Sequence, residues 1–241
     1  MKIIDLTCPL DLDYALPVFL DKIGGYEWKL MHSVKSSGYR MGQFTIQTHH
    51  ATHIDAPMHV FERDEKEGIF TIEDWPLEQL YGEAVVLDIP KGELEEITAD
   101  DLEKARPEVR TGDIVLIHTG WGRFYVEDRK SSTYVTCSRP GIVASAAEWL
   151  VKKKVKALGT DTVVTPHPKH KLGGGSAEDV AKGSIRSYEP VHRTLLGNDI
   201  VLIEQLTNLD KIKGQRVTCS FFPLPVKGLD GCPIRALAFV D

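Results

Sequence analysis

Three runs of four consecutive apolar residues, Ala84–Leu87, Ile114–Ile117 and Ile200–Ile203, constrain the fold of this chain more than anything else in it. A strand with one wet face alternates apolar and polar residues, whereas a strand covered on both faces reads as an unbroken apolar run. The runs therefore predict strands held between two layers. That requires a parallel or mixed sheet with helices packed on it, and it disfavours an all-helical bundle.

Helix signals fall between these strands. Thr98-Ala-Asp-Asp101 has the form of a capping box, with Asp where Glu or Gln is usual, and predicts a short helix. Ser138-Arg-Pro140 predicts the start of a longer one, with Ile142, Val143, Ala146, Trp149 and Leu150 on one stripe and lysines 152–154 at its end. Glu189-Pro190 opens a third, which Gly197 can terminate. Residues 41–50 alternate β-branched and aromatic side chains as a strand does, and 217–240 read as extended segments around the turn Gly228-Leu-Asp-Gly231. Lys171–Ser176 reads as a surface loop, not a domain boundary. The fold class expected is α/β, one domain over 1–241 with a mixed sheet. The repeat of Asp-Ile-Val-Leu-Ile at 113 and 199 is attributed to the composition of buried strands and not to duplication.

Composition narrows the functional classes. The chain has 241 residues and a net charge of −6, with no dense Lys/Arg block, which argues against nucleic acid as a partner. Its four cysteines are scattered without a Cys-x-x-Cys, as suits a reducing compartment. Asp5, Asp11 and Asp13 stand where a signal peptide needs an apolar core, and no apolar run approaches the ~18–20 residues of a membrane span. A soluble, cytoplasmic protein with a small-molecule substrate is expected, with no membrane partner.

The chemistry concentrates in residues 48–59, where four of the nine histidines lie. On strand periodicity His49, His53, Asp55 and His59 share one face, with small Ala51 between them. A straight strand would hold His49 and His59 about 33 Å apart, so one site needs a bend, and Pro57 offers it. His49, His53 and Asp55 are close enough in sequence to wrap one ion. Imidazole and carboxylate without thiolate suit Zn²⁺ or Mn²⁺, and three protein ligands leave positions for water and substrate. His50 points away from its neighbours and is read as structural or as a support behind the ligands, and His32, with no partner in sequence, as structural.

These residues resemble the cyclase/metal-dependent hydrolase family that includes kynurenine formamidase and isatin hydrolase. The family signature is His-x-Gly-Thr-His-x-Asp-x-Pro-x-His, against His49-His-Ala-Thr-His-Ile-Asp-Ala-Pro-Met-His59 here. Ala51 replaces the glycine, a change that is tolerated unless the backbone there needs positive φ. The segment from His192 through Leu195-Leu-Gly197 to Glu204 is similar to a second family block, as are Gly112–Trp121, Gly159-Thr-Asp161 and Pro233-Ile-Arg235. The resemblance implies a swivelling β/β/α fold, usually a dimer or tetramer. It implies that His49, His53 and Asp55 hold a first ion, and that Asp55, Glu204 and His192 hold a second in members with two. His59 would be the general acid/base. The kynurenine formamidases carry an early tryptophan against the substrate ring, but here no tryptophan precedes Trp28. Phe19 is the candidate aromatic wall, and His167 a candidate substrate contact. His118 and His170 are read as surface histidines. The chain is also longer than the compact kynurenine formamidases, which suggests a different pocket.

An ion of this kind lowers the pKa of bound water from 15.7 towards 7, which supplies a nucleophile at neutral pH. An imidazole, with an ordinary pKa near 6.5, suits proton transfer to the leaving group. No Gly-x-Ser-x-Gly elbow supports a serine nucleophile, and no cysteine has a neighbour that activates it. The expected activity is hydrolysis of a carbon–nitrogen bond in a formamide or cyclic amide. Lactone opening or cyclisation at the same site, and metal-dependent ligand binding without catalysis, are the rival readings.

Overall fold

The computed structural model describes residues 1–10, 26–128, 130, 134, 135, 138–164 and 190–240. The predicted buried strands lie at its centre. Strands β5 (Tyr81–Asp88), β7 (Ile114–His118), β9 (Ala157–Thr160) and β10 (Val201–Glu204) run parallel and side by side. Val85, Leu116, Leu158 and Leu202 in these strands have no exposed surface, as their apolar runs require.

Antiparallel strands extend this parallel core on both sides. They are β1 (Lys2–Asp5), β13 (Leu237–Val240) and β11 (Arg216–Ser220) beside β5, and β4 (His53–Asp55) and β12 (Gly231–Pro233) beside β10. The sheet of nine strands thus runs β1-β13-β11-β5-β7-β9-β10-β4-β12. Two small sheets stand apart from it: the hairpin of β2 (Tyr26–His32) and β3 (Met41–Ile46), and the parallel pair β6 (Glu96–Ile97) and β8 (Gly141–Ile142).

Helices Ala99–Lys104 and Pro190–Gly197 pack on helix Ala144–Lys153 and bury Leu102, Ala146, Leu150, Leu195 and Leu196. Thr98 and Asp101 do form the reciprocal capping box. Among the described residues no helix is long and apolar enough to cross a membrane.

Two local expectations are corrected, and a third holds. The helix read from Ser138 begins only at Ala144, because Gly141 and Ile142 pair in a parallel ladder with Glu96 and Ile97 instead. The strand read over 41–50 ends at Ile46, and His49 and His50 lie in the turn that follows. The two Asp-Ile-Val-Leu-Ile segments sit one residue out of step. Ile114 and Val201 both stand opposite Ala157, so the segments are not structural equivalents.

Three of the family-like blocks form part of the scaffold. The buried Asp161 carboxylate accepts hydrogen bonds from the Thr119 and Gly120 amides at 3.1 and 2.9 Å, tying the end of β7 to the end of β9. Gly159 in β9 leaves room for its neighbours, since a Cβ there would stand 2.6 Å from Leu116 Cδ2. At the C-terminal end, Arg235 grips Asp5 with two hydrogen bonds of 3.0 and 2.5 Å and fastens the C-terminal strands to β1.

Candidate metal centre

The site forms where β4 is inserted between β10 and β12. Pairing sets His53 opposite Glu204, and Gly231 opposite Asp55. Strand alternation turns Ile54 into the apolar core and leaves His53 and Asp55 together on the other face. Trp75 Nε1 donates to the Asp55 carbonyl at 3.1 Å, and Thr52 Oγ1 donates to the Gln205 carbonyl at 2.6 Å, so the backbone of β4 is held on both sides.

His49 reaches the same point from outside the strand. Ala51 adopts φ 58°, the left-handed region, and this bends the chain back on itself. The glycine of the family signature is thus replaced where its freedom is used, and the alanine bears strain of order 1–2 kcal/mol. On the far side Pro57–His59 forms a turn of 3₁₀ helix, which leaves the strand direction at Pro57 as expected. The His49 and His59 ring centroids end 4.0 Å apart, and His59 lies 5.4 Å from His192. Arg193 steadies the chain after His59, donating to the Val60 carbonyl at 2.5 Å and to Glu65 at 2.9 Å.

Asp55 is the hub. Its Oδ1 lies 2.8 Å from His49 Nδ1 and 3.4 Å from His53 Nε2, and its Oδ2 lies 3.4 Å from His192 Nε2. Glu204 closes the other side, with Oε1 3.5 Å from His192 Nε2 and Oε2 3.6 Å from His53 Nε2. The Val164 amide donates to Glu204 Oε1 at 2.6 Å and fixes that carboxylate. His53 Nδ1 donates to the Ala51 carbonyl at 2.7 Å, which leaves Nε2 as the nitrogen facing the acids. Asp55, Glu204, His53 and His192 are all buried.

These donors fit a metal ion. Asp55 Oδ2 is buried and has no hydrogen-bond partner among the described residues, an uncommon state for a carboxylate oxygen. Donor atoms bound tetrahedrally at about 2.1 Å lie roughly 3.4 Å apart, and the 3.4–3.6 Å separations here match that edge better than a hydrogen bond. One donor atom each from Asp55, His192 and Glu204 falls within a 4.8 Å cluster, and the same is true of His49, Asp55 and His59.

Electrostatics reinforce the grouping. Burial would lower the His49 and His192 imidazoles, but Asp55 and Asp230 around the first, and Asp55 and Glu204 around the second, raise both to about 10. Burial would raise Asp55, yet His49, His192 and His53 hold it well below the usual carboxylate range.

One residue of this centre escapes sequence reasoning. Asp230, in the turn before β12, puts Oδ2 2.9 Å from His49 Nε2 and 3.8 Å from His59 Nδ1. Next to it, a Cβ on Gly231 would stand 2.5 Å from His49 Cε1, so the missing side chain makes room for the ring. Gly231→Ala is expected to push His49 aside and weaken metal binding about 10–100-fold while the fold survives. Titration of the metal-free variant checks this, and wild-type affinity would contradict it.

His50 is buried, and burial, together with the neighbouring His53, lowers its imidazole. His118 pairs with Asp88 at 2.7 Å at the end of β7, and His32 contacts Ser37 and Tyr39 on the hairpin. Phe19, His167 and His170 lie outside the described residues.

The profile of the Cyclase family, described as "Putative cyclase", matches residues 4–167, more than half of the chain. The chain belongs to the cyclase family. It is 27% identical over 217 residues to cyclase-like protein 3 of Oryza sativa subsp. japonica, covering 89% of this chain and 71% of that one. It is 28% identical over 198 residues to the kynurenine formamidase of Erythrobacter litoralis, covering 82% and 74%. Among solved structures, isatin hydrolase A from Ralstonia solanacearum superposes with a TM-score of 0.79 at 21% identity, covering 100% of this chain and 92% of that one. The α/β fold with a mixed sheet, expected from the resemblance, is therefore the fold observed.

Proposed function

We propose that this protein is a cytoplasmic metal-dependent hydrolase of small molecules that cleaves a carbon–nitrogen bond in a formamide or cyclic amide. The observation that carries the reading is Asp55, a buried carboxylate set between His49, His53 and His192 with one oxygen lacking a hydrogen bond among the described residues. His49, His53 and Asp55 would hold one Zn²⁺ or Mn²⁺, and Asp55, His192 and Glu204 a second. Such an ion, when bound, supplies a Lewis acid and a water acidic enough to act as a nucleophile near neutral pH. The protein's own part is to set out the donors, exclude solvent from Asp55 and Glu204, and move a proton. His59, with its side chain 29% exposed, stands at the open edge of the cluster, where a substrate would enter. It would give the departing nitrogen its proton, with Asp230 orienting its ring. The relatives named for formamide and isatin hydrolysis support the bond type. Turnover of an N-formyl arylamine, isatin and a lactone, with metal analysis of the same sample, tests it. Cleavage of the lactone alone would contradict it.

Metal uptake should be coupled to protons. His49 and His192, held at about 10 in the metal-free protein, carry protons at pH 7.5 that a metal must displace. Calorimetric titration in buffers of different ionisation enthalpy should register about two protons released per fully loaded chain. Release of none would show that these imidazoles are not ligands. The sign for stability follows from the same shift. Folded-state values raised above the ordinary ~6.5 stabilise the metal-free protein fully below that pH, and the contribution fades as pH climbs to about 10.

A further inference from the structure

The two acids beside His49 occupy opposite sides of its ring. Asp55, with its side chain 1% exposed, faces Nδ1 at 2.8 Å, and Asp230, 36% exposed, faces Nε2 at 2.9 Å. The buried donors lie on the Nδ1 side. The Asp55 oxygen that meets His49 Nδ1 also stands 3.4 Å from His53 Nε2, so the two rings turn different nitrogens to one carboxylate oxygen.

An imidazole ligates through one nitrogen while the other donates a hydrogen bond, and that second contact selects both the ligating nitrogen and the orientation of the ring. At His53 the Ala51 carbonyl takes the Nδ1 proton and leaves Nε2 to the centre. At His49 the choice is reversed, because Asp230 takes the Nε2 proton and leaves Nδ1. The same Asp230 oxygen lies 3.8 Å from His59 Nδ1, and the His59 ring stands beside that of His49. One carboxylate oxygen therefore addresses two neighbouring rings.

The turn that carries Asp230 is fastened at three successive residues. Gly228 takes φ 80°, and its amide donates to both carboxylate oxygens of Glu73 at 3.0 and 3.1 Å. The Ile72 amide donates to the Leu229 carbonyl at 3.0 Å, and the Ala56 amide to the Asp230 carbonyl at 2.8 Å. The last of these bonds joins Asp230 to the residue that follows Asp55. A side chain on so fixed a backbone keeps its place relative to the ligands, as a group that orients them must.

We infer that Asp230 is the positioning residue of this centre: it holds His49 so that this ring ligates through Nδ1, opposite to His53, and it holds His59 with Nε2 as the nitrogen that delivers a proton. The choice of nitrogen on His49 depends on the metal centre alone, whereas the part given to His59 rests on the hydrolase reading above.

Zinc, with its filled d shell, is the probe. Two-bond proton–nitrogen correlation spectra of the zinc-loaded full chain, labelled at histidine, should show His49 bound through Nδ1 with Nε2 protonated, and His53 the reverse. Titration against a chelating dye should show zinc binding weakened about 10–100-fold in Asp230→Ala. The loss should be smaller in Asp230→Asn, whose amide oxygen still accepts the Nε2 proton. With both variants saturated in zinc, hydrolysis of an N-formyl arylamine should stay about 10–100-fold below wild type, while that of an activated ester approaches it. Coordination of His49 through Nε2, or wild-type affinity in both variants, would overturn the assignment at His49 and leave the hydrolase reading standing. A full amide rate in the saturated variants would overturn the role at His59. A wild type that takes up zinc and cleaves no carbon–nitrogen bond would instead remove the hydrolase reading, and with it the His59 part alone.

Discussion

Asp55→Ala is expected to yield a protein that retains no metal and hydrolyses no substrate. Every donor in the centre other than Asp230 faces this carboxylate directly or through one neighbour, and both candidate ligand groups include it. Its removal leaves His49 with Asp230, and Glu204 with His192 and His53, and takes away the carboxylate that both groups share. Breaking a buried charged cluster from one side costs about 3–5 kcal/mol. The wild type gains further stability from ion binding, by RT ln(1 + [L]/Kd), and the variant gains none. Melting in the presence and absence of added Zn²⁺ or Mn²⁺ separates the two contributions: the metal-dependent upshift of the wild type should vanish entirely in the variant. Full metal occupancy in Asp55→Ala would remove the centre as described.

His59→Ala should behave differently. The ring lies at the rim of the cluster, beside His49 and Asp230, and the His53–Asp55–His192–Glu204 group is complete without it. An amine leaves poorly unless it is protonated, so loss of a positioned acid should cost about 10²–10⁴-fold in rate on an amide. An activated ester, whose leaving group needs no proton, should lose far less. Metal content and fold should be retained. The geometry also gives the test its edge, since His59 offers a donor atom within 4.8 Å of those from His49 and Asp55. If the variant releases the metal, His59 is a ligand, and the acid must be sought at His167.

How far the fold was legible depended on how local the signal was. The parallel centre could be read because Ala84–Leu87, Ile114–Ile117 and Ile200–Ile203 are buried on both faces, and burial leaves its mark on each residue. The capping box at Thr98 was equally plain. The start of the next helix was not, because the ladder between Gly141-Ile142 and Glu96-Ile97 is a contact between distant segments that outweighs the local pattern. At the centre, the spacing of His49, His53 and Asp55 spoke for itself, and Pro57 signalled the bend that brings His59 round. His192 and Glu204 entered only through a family resemblance. Strand pairing carries Glu204 to His53, and the adjoining helix carries His192 to Asp55, neither of which has a signature in spacing. Asp230 was silent for the same reason. It lies 181 residues from His49, in what reads as an ordinary turn, and arrives only because β12 pairs with β4. A glycine followed by a proline two residues on, directly after that acid, was the available hint of a backbone required to pass close to something.

The most direct test of the whole account is the rate of N-formyl arylamine and isatin hydrolysis by protein stripped of metal and then titrated with Zn²⁺ or Mn²⁺, with bound metal counted in each sample. The account predicts no turnover in the stripped protein and a rate that rises with bound metal until one or two ions per chain are held. Undiminished hydrolysis by the stripped protein, or full metal occupancy with no cleavage of either carbon–nitrogen bond, would contradict it.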